Sequence, residues 1–337
     1  MRKETTILLA AIAMLLFNPV LGQKSEEFTP SGKVYGKVFS NFHSGLLGED
    51  NSSAFEISQA YFGYKYSMTE HFSADIKLDI GNPIETEDGD RSKRYAYFKL
   101  AQLQYKIDAI TLRFGVIGMK QFKYQEKFWT RKYVKKSFQD YYGYGPSADI
   151  GAAVAYDLAS NLKIEALVMN GEGYKDVQSD NTYKGGLALT YRPIKNVHLY
   201  LYSDFAQKGE LASNSAFFVG YKEKEYSFGF EVNQRTNVDY LKDKMRVGIS
   251  AYASYLLAKK WELFGRYDMI QSNDHESWAK KIDIKTYPKS DGDYIIGGIQ
   301  FSPTKKVKIA VDGQYYIPDM STFDPQIFGF VHFQYEL

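Results

Sequence analysis

The most restrictive feature of this chain is a period of two. From Phe72 to Ile80 the residues Phe72, Ala74, Ile76, Leu78 and Ile80 alternate with Ser73, Asp75, Lys77 and Asp79. Successive side chains of a strand point to opposite faces, so this block builds a strand with one apolar and one polar face. The pattern returns in about sixteen blocks, near 32–42, 55–66, 71–81, 95–106, 110–119, 147–158, 162–170, 183–192, 197–206, 215–222, 226–235, 245–257, 261–271, 292–302, 306–316 and 326–337. Blocks of about nine to twelve residues exceed the strands of an ordinary sandwich and suit a tilted crossing of a membrane.

The connections alternate in length. Short turns fall at Ser67–Glu70, Asp108–Ala109, Ala159–Asn161, Pro193–Asn196, Lys222–Glu225, Ala258–Lys260 and Pro303–Lys305. Longer ones fall at 43–54, 82–94, 120–146, 171–182, 207–214, 236–244, 272–291 and 317–325. Short turns at one end and long loops at the other predict an all-β fold: a transmembrane antiparallel β-barrel of about 16 strands with its turns in the periplasm. One face of each strand is apolar, as at Ile150, Ala152, Val154 and Tyr156, or at Val307, Ile309 and Val311. In lipid every backbone amide needs a partner, and a closed sheet supplies one. About sixteen strands leave an aqueous lumen.

Composition narrows the class further. With 29 Tyr and 23 Phe, aromatics reach 16% of 337 residues. Aromatics favour strands, and Tyr suits a membrane–water boundary. The formal charge of +2 gives no footprint for nucleic acid. No run approaches about 18 apolar residues, so helices are not expected to do the crossing. At the N-terminus Arg2 and Lys3 precede an apolar run from Ile7 to Phe17, closed by Asn18 and Pro19. Residues 1–22 read as a cleaved signal peptide and 23–337 as the barrel domain. The stretch between Gln23 and the first strand is too short for a plug.

The stretch Lys120–Pro146 lacks the alternation. It carries Lys120, Lys123, Lys127, Arg131, Lys132, Lys135 and Lys136 against Glu126 and Asp140. The spacing of four predicts a helix near 123–136, with Lys123, Lys127, Arg131 and Lys135 on one face and Phe122, Glu126, Trp129 and Tyr133 on another. A lumen-folded third loop, its aromatics on the wall and its cations in the pore, would focus the field and favour anions. Lys120, Lys123, Lys127, Arg131, Lys135 and Arg113 are therefore the expected constriction. Arg192, Arg246, Arg266 and Lys184 have the phase of the lumen wall, as do Lys37, Lys65, Lys77, Lys106 and Lys308. Asp75, Asp79, Asp149, Asp204, Glu231, Glu262, Asp268 and Asp312 share that face, which tempers any wall selectivity.

Several motifs resemble the phosphate-selective porin O and P family. They are Phe55–Ile80, Leu112-Arg113-Phe114-Gly115-Val116 followed by Gln121-Phe122-Lys123, Ser147–Gly151, Met169–Tyr174 and Gly265–Asp268. The resemblance implies a trimeric outer-membrane porin with a third loop folded inward and cations that attract anions. The final strand, with Val331, Phe333, Tyr335 and Leu337 apolar against His332, Gln334 and Glu336, resembles the signal read by barrel-assembly machinery, although Phe or Trp usually stands where Leu337 does.

The expected partners are small anions or other small hydrophilic solutes, outer-membrane lipid and lipopolysaccharide, and two further copies of the chain. The expected location is the outer membrane of a Gram-negative-type cell. No enzyme, cofactor or metal is expected. The histidines His43, His71, His198, His275 and His332 lack metal-ligand spacing, and His198 and His332 point inward, away from any lipid-face hydrolase. The acidic run Glu85–Asp90 reads as a solvated loop rather than a calcium site. Two alternatives stand beside the anion channel. One is a general or oligosaccharide-tolerant porin with an aromatic slide of Tyr124, Trp129 and Tyr133. The other is a structural or adhesive surface barrel.

Overall fold

A computed structural model describes residues 28–48, 52–81, 95–273, 291–319 and 324–337. The expected signal peptide and the acidic run Glu85–Asp90 lie outside them. Sixteen strands form one closed antiparallel barrel. They are β1 (Ser31–Leu47), β2 (Ser53–Ser67), β3 (Phe72–Ile80), β4 (Ala96–Ile107), β5 (Ile110–Gly118), β6 (Ala148–Ala159), β7 (Leu162–Met169) and β8 (Lys184–Tyr191). They continue as β9 (Val197–Lys208), β10 (Glu210–Lys222), β11 (Tyr226–Thr236), β12 (Met245–Ala258), β13 (Trp261–Ser272), β14 (Gly292–Thr304), β15 (Val307–Pro318) and β16 (Gln326–Glu336). Each strand pairs with its neighbours in sequence, and β1 closes the ring on β16 with Asn41 opposite His332.

All seven expected short turns occur where the alternation breaks. Among the described residues the other end departs in two places. The loop expected over 43–54 shrinks, because β1 runs to Leu47 and β2 starts at Ser53. Residues 207–214, expected as a long loop, are strand on either side of a tight turn, because β9 runs to Lys208 and β10 starts at Glu210. Gly209 alone joins them, at φ 81°, a conformation that glycine adopts without steric cost.

The apolar face of every strand is outside. Phe114, Val154, Val168, Leu201, Phe228 and Val311 are among its exposed residues. In water such a band would be a liability. In hydrocarbon each large side chain gains about 1.5–3 kcal/mol. Among the described residues no helix is long and apolar enough to cross a membrane. The polar faces turn inward, and the core is there too. It gathers where the chain between β5 and β6 folds into the lumen: Phe128, Trp129 and Tyr133 lie against Phe218, Tyr252 and Phe264.

A depth test follows from the band. Val311→Arg, mid-strand and outward, is expected to destabilise the barrel by about 2–4 kcal/mol, and Val307→Arg, at the first residue of β15, by about 0–1 kcal/mol. Urea unfolding in lipid vesicles measures both.

Candidate functional site

The segment between β5 and β6 holds two short helices, α1 (Lys123–Trp129) and α2 (Phe138–Tyr141). The single helix expected over 123–136 is not formed. Thr130 takes a left-handed conformation, φ 60°, and its N–H closes on the Glu126 carbonyl. The Trp129 indole N–H then donates to the Lys135 carbonyl at 2.9 Å. The chain therefore turns after one and a half to two turns of helix, and the face predicted for Lys123, Lys127, Arg131 and Lys135 is split.

The wall fastens this loop mainly by its carbonyls. Tyr200 on β9 donates to the Lys120 carbonyl at 2.7 Å, and Tyr252 on β12 to that of Gln125 at 3.2 Å. Arg266 on β13 reaches the Lys136 carbonyl at 2.6 Å, and Arg246 on β12 that of Tyr142 at 2.8 Å. Arg235 and Asn214 take those of Gly143 and Tyr144 at 3.1 and 3.3 Å, and Lys308 that of Thr130 at 3.4 Å. Each such bond contributes about 1 kcal/mol, more where the donor is charged. Aromatic packing adds to them. Trp129 meets Tyr252 and Phe264 at 5.5 and 6.0 Å between ring centres, and Phe128 meets Phe218 at 5.1 Å. Gly220 and Gly248 leave room for the loop: a Cβ on either would lie 2.6 Å from the Phe128 ring or 2.0 Å from the Phe138 ring.

The expected site residues separate into two groups. Arg131 is buried and paired with Glu262 at 2.7 Å. Lys135 is buried between the rings of Tyr141 and Tyr294, each 3.7 Å from its ammonium. Arg266 forms a two-bond pair with Asp268 at 2.7 and 2.6 Å. Lys184 lies 3.9 Å from Asp204. Arg192 stands beyond the end of β8, exposed at a short turn and bonded to the Ser160 carbonyl at 2.9 Å. Arg113 pairs with Glu165. These cations secure the structure.

Lys120, Lys123 and Lys127 belong to the second group, with Lys132 and Lys136. Lys127 and Lys136 are exposed, and Lys123 bridges to Glu126 at 3.0 Å. Lys132 sits between Glu126 at 2.9 Å and Asp140 at 3.1 Å. Burial opposes ionisation of Asp140, but Lys132 outweighs it and holds that carboxyl well below the usual range. Lys120 lies within electrostatic reach of Arg113, Glu165 and Lys127; burial and Arg113 draw its ammonium down to about 8.

The three residues expected to form an aromatic slide face the wall instead. Trp129 and Tyr133 are buried, and Tyr124 stacks on Tyr200 at 5.3 Å and shares a 2.6 Å hydrogen bond with His198. Their apolar surface fills the gap behind the loop, which is the energetically favoured use of it.

On the side of β2 to β4 the loop's lysines face other cations and aromatic rings. The ring of Tyr61 has Lys77 at 4.9 Å and Lys132 at 5.9 Å from its centre. Lys99 is in electrostatic reach of Lys123, Lys132 and Asp140. Periodicity missed Lys99, because counting by two from Lys106 turns it outward. The β3–β4 register shifts between Lys77 and Leu78: Leu100 is opposite Lys77 but Phe98 is opposite Leu78. That bulge points Lys99 inward and Phe98 out; their exposures are 6% and 55%. The consecutive apolar pair Leu100-Ala101, between Lys99 and Gln102, was its only trace in the sequence.

Tyr174 was also missed as a site residue. Asp149 accepts the amides of Ile150 and Gly171 at 2.7 and 2.8 Å. Gly171 and Gly173 turn at φ 109° and 93°, and Tyr174 is thereby brought to Asp79, to which it donates at 2.9 Å.

No family model matches the chain, and no curated protein matches it. Solved structures match its fold. Salmonella typhi OmpF, in a complex with daunomycin, superposes with a TM-score of 0.66 at 12% identity, over 91% of this chain and 97% of its own. Pseudomonas putida OprB gives 0.65 at 10% identity, over 91% and 94%. An anion-selective porin from Comamonas acidovorans gives 0.64 at 11% identity, over 92% and 100%.

If the wall sets the loop's position, Gly248→Val is expected to push α2 towards the lumen centre and lower single-channel conductance in a planar bilayer. An unchanged conductance would place α2 away from the narrowest point.

Proposed function

We propose that this protein is an outer-membrane porin, a passive channel for small hydrophilic solutes that prefers anions. The observation that carries this reading is the charge on the open face of the loop. Lys120, Lys123, Lys127, Lys132 and Lys136 stand there against Glu126 and Asp140. The opposite wall mixes signs, with Lys77 and Lys99 beside Asp75 and Asp79, so the preference comes from the loop. In a narrow lumen with low-dielectric walls such an excess concentrates anions. Rings of basic side chains select for them.

Phosphate passes as one anion among several in this reading. The arginines Arg113, Arg131, Arg246 and Arg266 have carboxylate or carbonyl partners. The slot itself is lined by lysines, which act as point charges rather than as two-pronged clamps. The kinship with the phosphate-selective porin O and P family rests on the motifs from Phe55 to Asp268, and with it the trimer. Location in the outer membrane, after removal of residues 1–22, completes the proposal.

A potassium chloride gradient across a planar bilayer tests it through the reversal potential. Lys127→Glu with Lys136→Glu is expected to move the chloride-to-potassium permeability ratio towards cations by several-fold, since each step reverses a charge in a partly desolvated pore (roughly 1 kcal/mol per charge at an intermediate dielectric). Arg131→Gln is expected to leave the ratio nearly unchanged and lower stability instead. A cation-preferring wild type would sink the proposal, and no channel at all would favour a surface barrel.

Acidity supplies a second test. The charge on Lys120 is present below its pKa of about 8 and is lost as pH rises through it. Anion preference is therefore expected to fall between about pH 7 and 9, well below the ordinary lysine range. In Lys120→Gln that step should be smaller.

A further inference from the structure

The wall opposite the loop carries an arrangement that charge preference alone does not account for. The bulge in β4 brings Lys99 into the lumen. There its ammonium lies 3.4 Å from Asp79, 4.1 Å from the centre of the Tyr174 ring, and in contact with the Ser147 hydroxyl. Asp79 is held from the other side as well. Gln59 donates to both of its oxygens at 3.0 Å, and the Tyr174 hydroxyl donates to one at 2.9 Å. Two residues from separate parts of the chain, through three hydrogen bonds, thus fix one carboxylate against one ammonium, beside a loop face rich in lysine. Bulges next to functional sites re-aim side chains, and this one aims a cation at a stationary anion.

We infer that Asp79 is a resident counter-anion that occupies the anion-binding position at Lys99 and keeps passing anions from lodging there. Lys99 is then the specificity-determining residue of this wall, and Asp79 a positioning residue that acts through it. The inference rests on the anion-channel reading and adds the control of dwell time. A channel must attract its solute yet release it. Without Asp79 the ammonium of Lys99, with Lys123 and Lys132 facing it across the slot, would form a site where a multiply charged oxyanion stays. With Asp79 in place the site is already filled, and the anion moves on.

Asp79→Asn tests this, because the amide oxygen still accepts from Gln59 and Tyr174 while the charge is gone. In a potassium chloride gradient the chloride-to-potassium permeability ratio should rise about threefold, the effect of removing one partly screened charge. The decisive readout is inorganic phosphate added to the chloride bath. Phosphate should block the chloride current of Asp79→Asn at concentrations that leave the wild type open. The block should disappear in Asp79→Asn with Lys99→Gln, a loss that a general change of charge or of stability would not produce. Lys99→Gln alone should lower the permeability ratio about threefold, which keeps the inference testable should Asp79→Asn fail to assemble. An unblocked Asp79→Asn channel, a block that persists in the double variant, or an unchanged ratio in Lys99→Gln would each overturn it. Failure of the underlying reading looks different: the wild type itself would form no channel or would prefer potassium.

Discussion

Everything in this molecule depends on the pairing of backbone amides where water is absent. An unpaired N–H or C=O in hydrocarbon costs several kcal/mol, so a sheet that crosses a membrane must have no free edge. The bond between β1 and β16 meets that demand. Once the ring is closed, lipid fixes the outer face as apolar, and the inner face is left to vary. The usual arrangement of a soluble protein is therefore inverted. The apolar core is inside a polar lumen, beneath a loop, where Trp129, Tyr133 and Phe128 meet Phe218, Tyr252 and Phe264.

That core needs the loop to stay in place, and the basic residues divide their roles accordingly. Arginines reach across the buried junction: Arg246 and Arg266 to carbonyls, Arg131 to Glu262. Lys127 and Lys136 occupy the wet side and are exposed, whereas Lys135 is buried between two tyrosine rings. A guanidinium is planar and weakly hydrated, so it tolerates burial with fixed partners; an ammonium is strongly hydrated and sits better at the water. The same division explains why a stretch with seven basic residues turns only some of them to the wet side.

The fold was legible because its cause is periodic. Alternation, strand length and turn spacing are each written locally in the chain, and the outward phase of Val311 or Val154 follows from counting by two. Gly209 shows where that reading loosens, since polar residues from Gln207 to Asn214 look like a loop yet pair as strands. The inward-folded loop was only half legible. Its place between β5 and β6 could be read, but Thr130 breaks the helix through a left-handed turn stabilised by tertiary contacts, and this removed Arg131 and Lys135 from the expected face. Lys99 escaped because a bulge depends on the partner strand, which a local pattern does not contain. Tyr174 escaped because its place is set by Asp149, on another strand.

The wall's grip on the loop has a consequence for how the loop's surface can change over time. The wall donors Tyr200, Tyr252, Arg266, Arg246, Arg235, Asn214 and Lys308 bind main-chain oxygens, which every amino acid supplies. The lumen-facing side chains at 123, 127, 132 and 136 are not what holds the segment there. Mutation can rewrite the charge on the loop's lumen side while the scaffold keeps the segment in register. The barrel is in this sense a socket, and the lumen side of the loop an exchangeable insert: its surface can change through a few codons while the wall keeps its hold on the main chain.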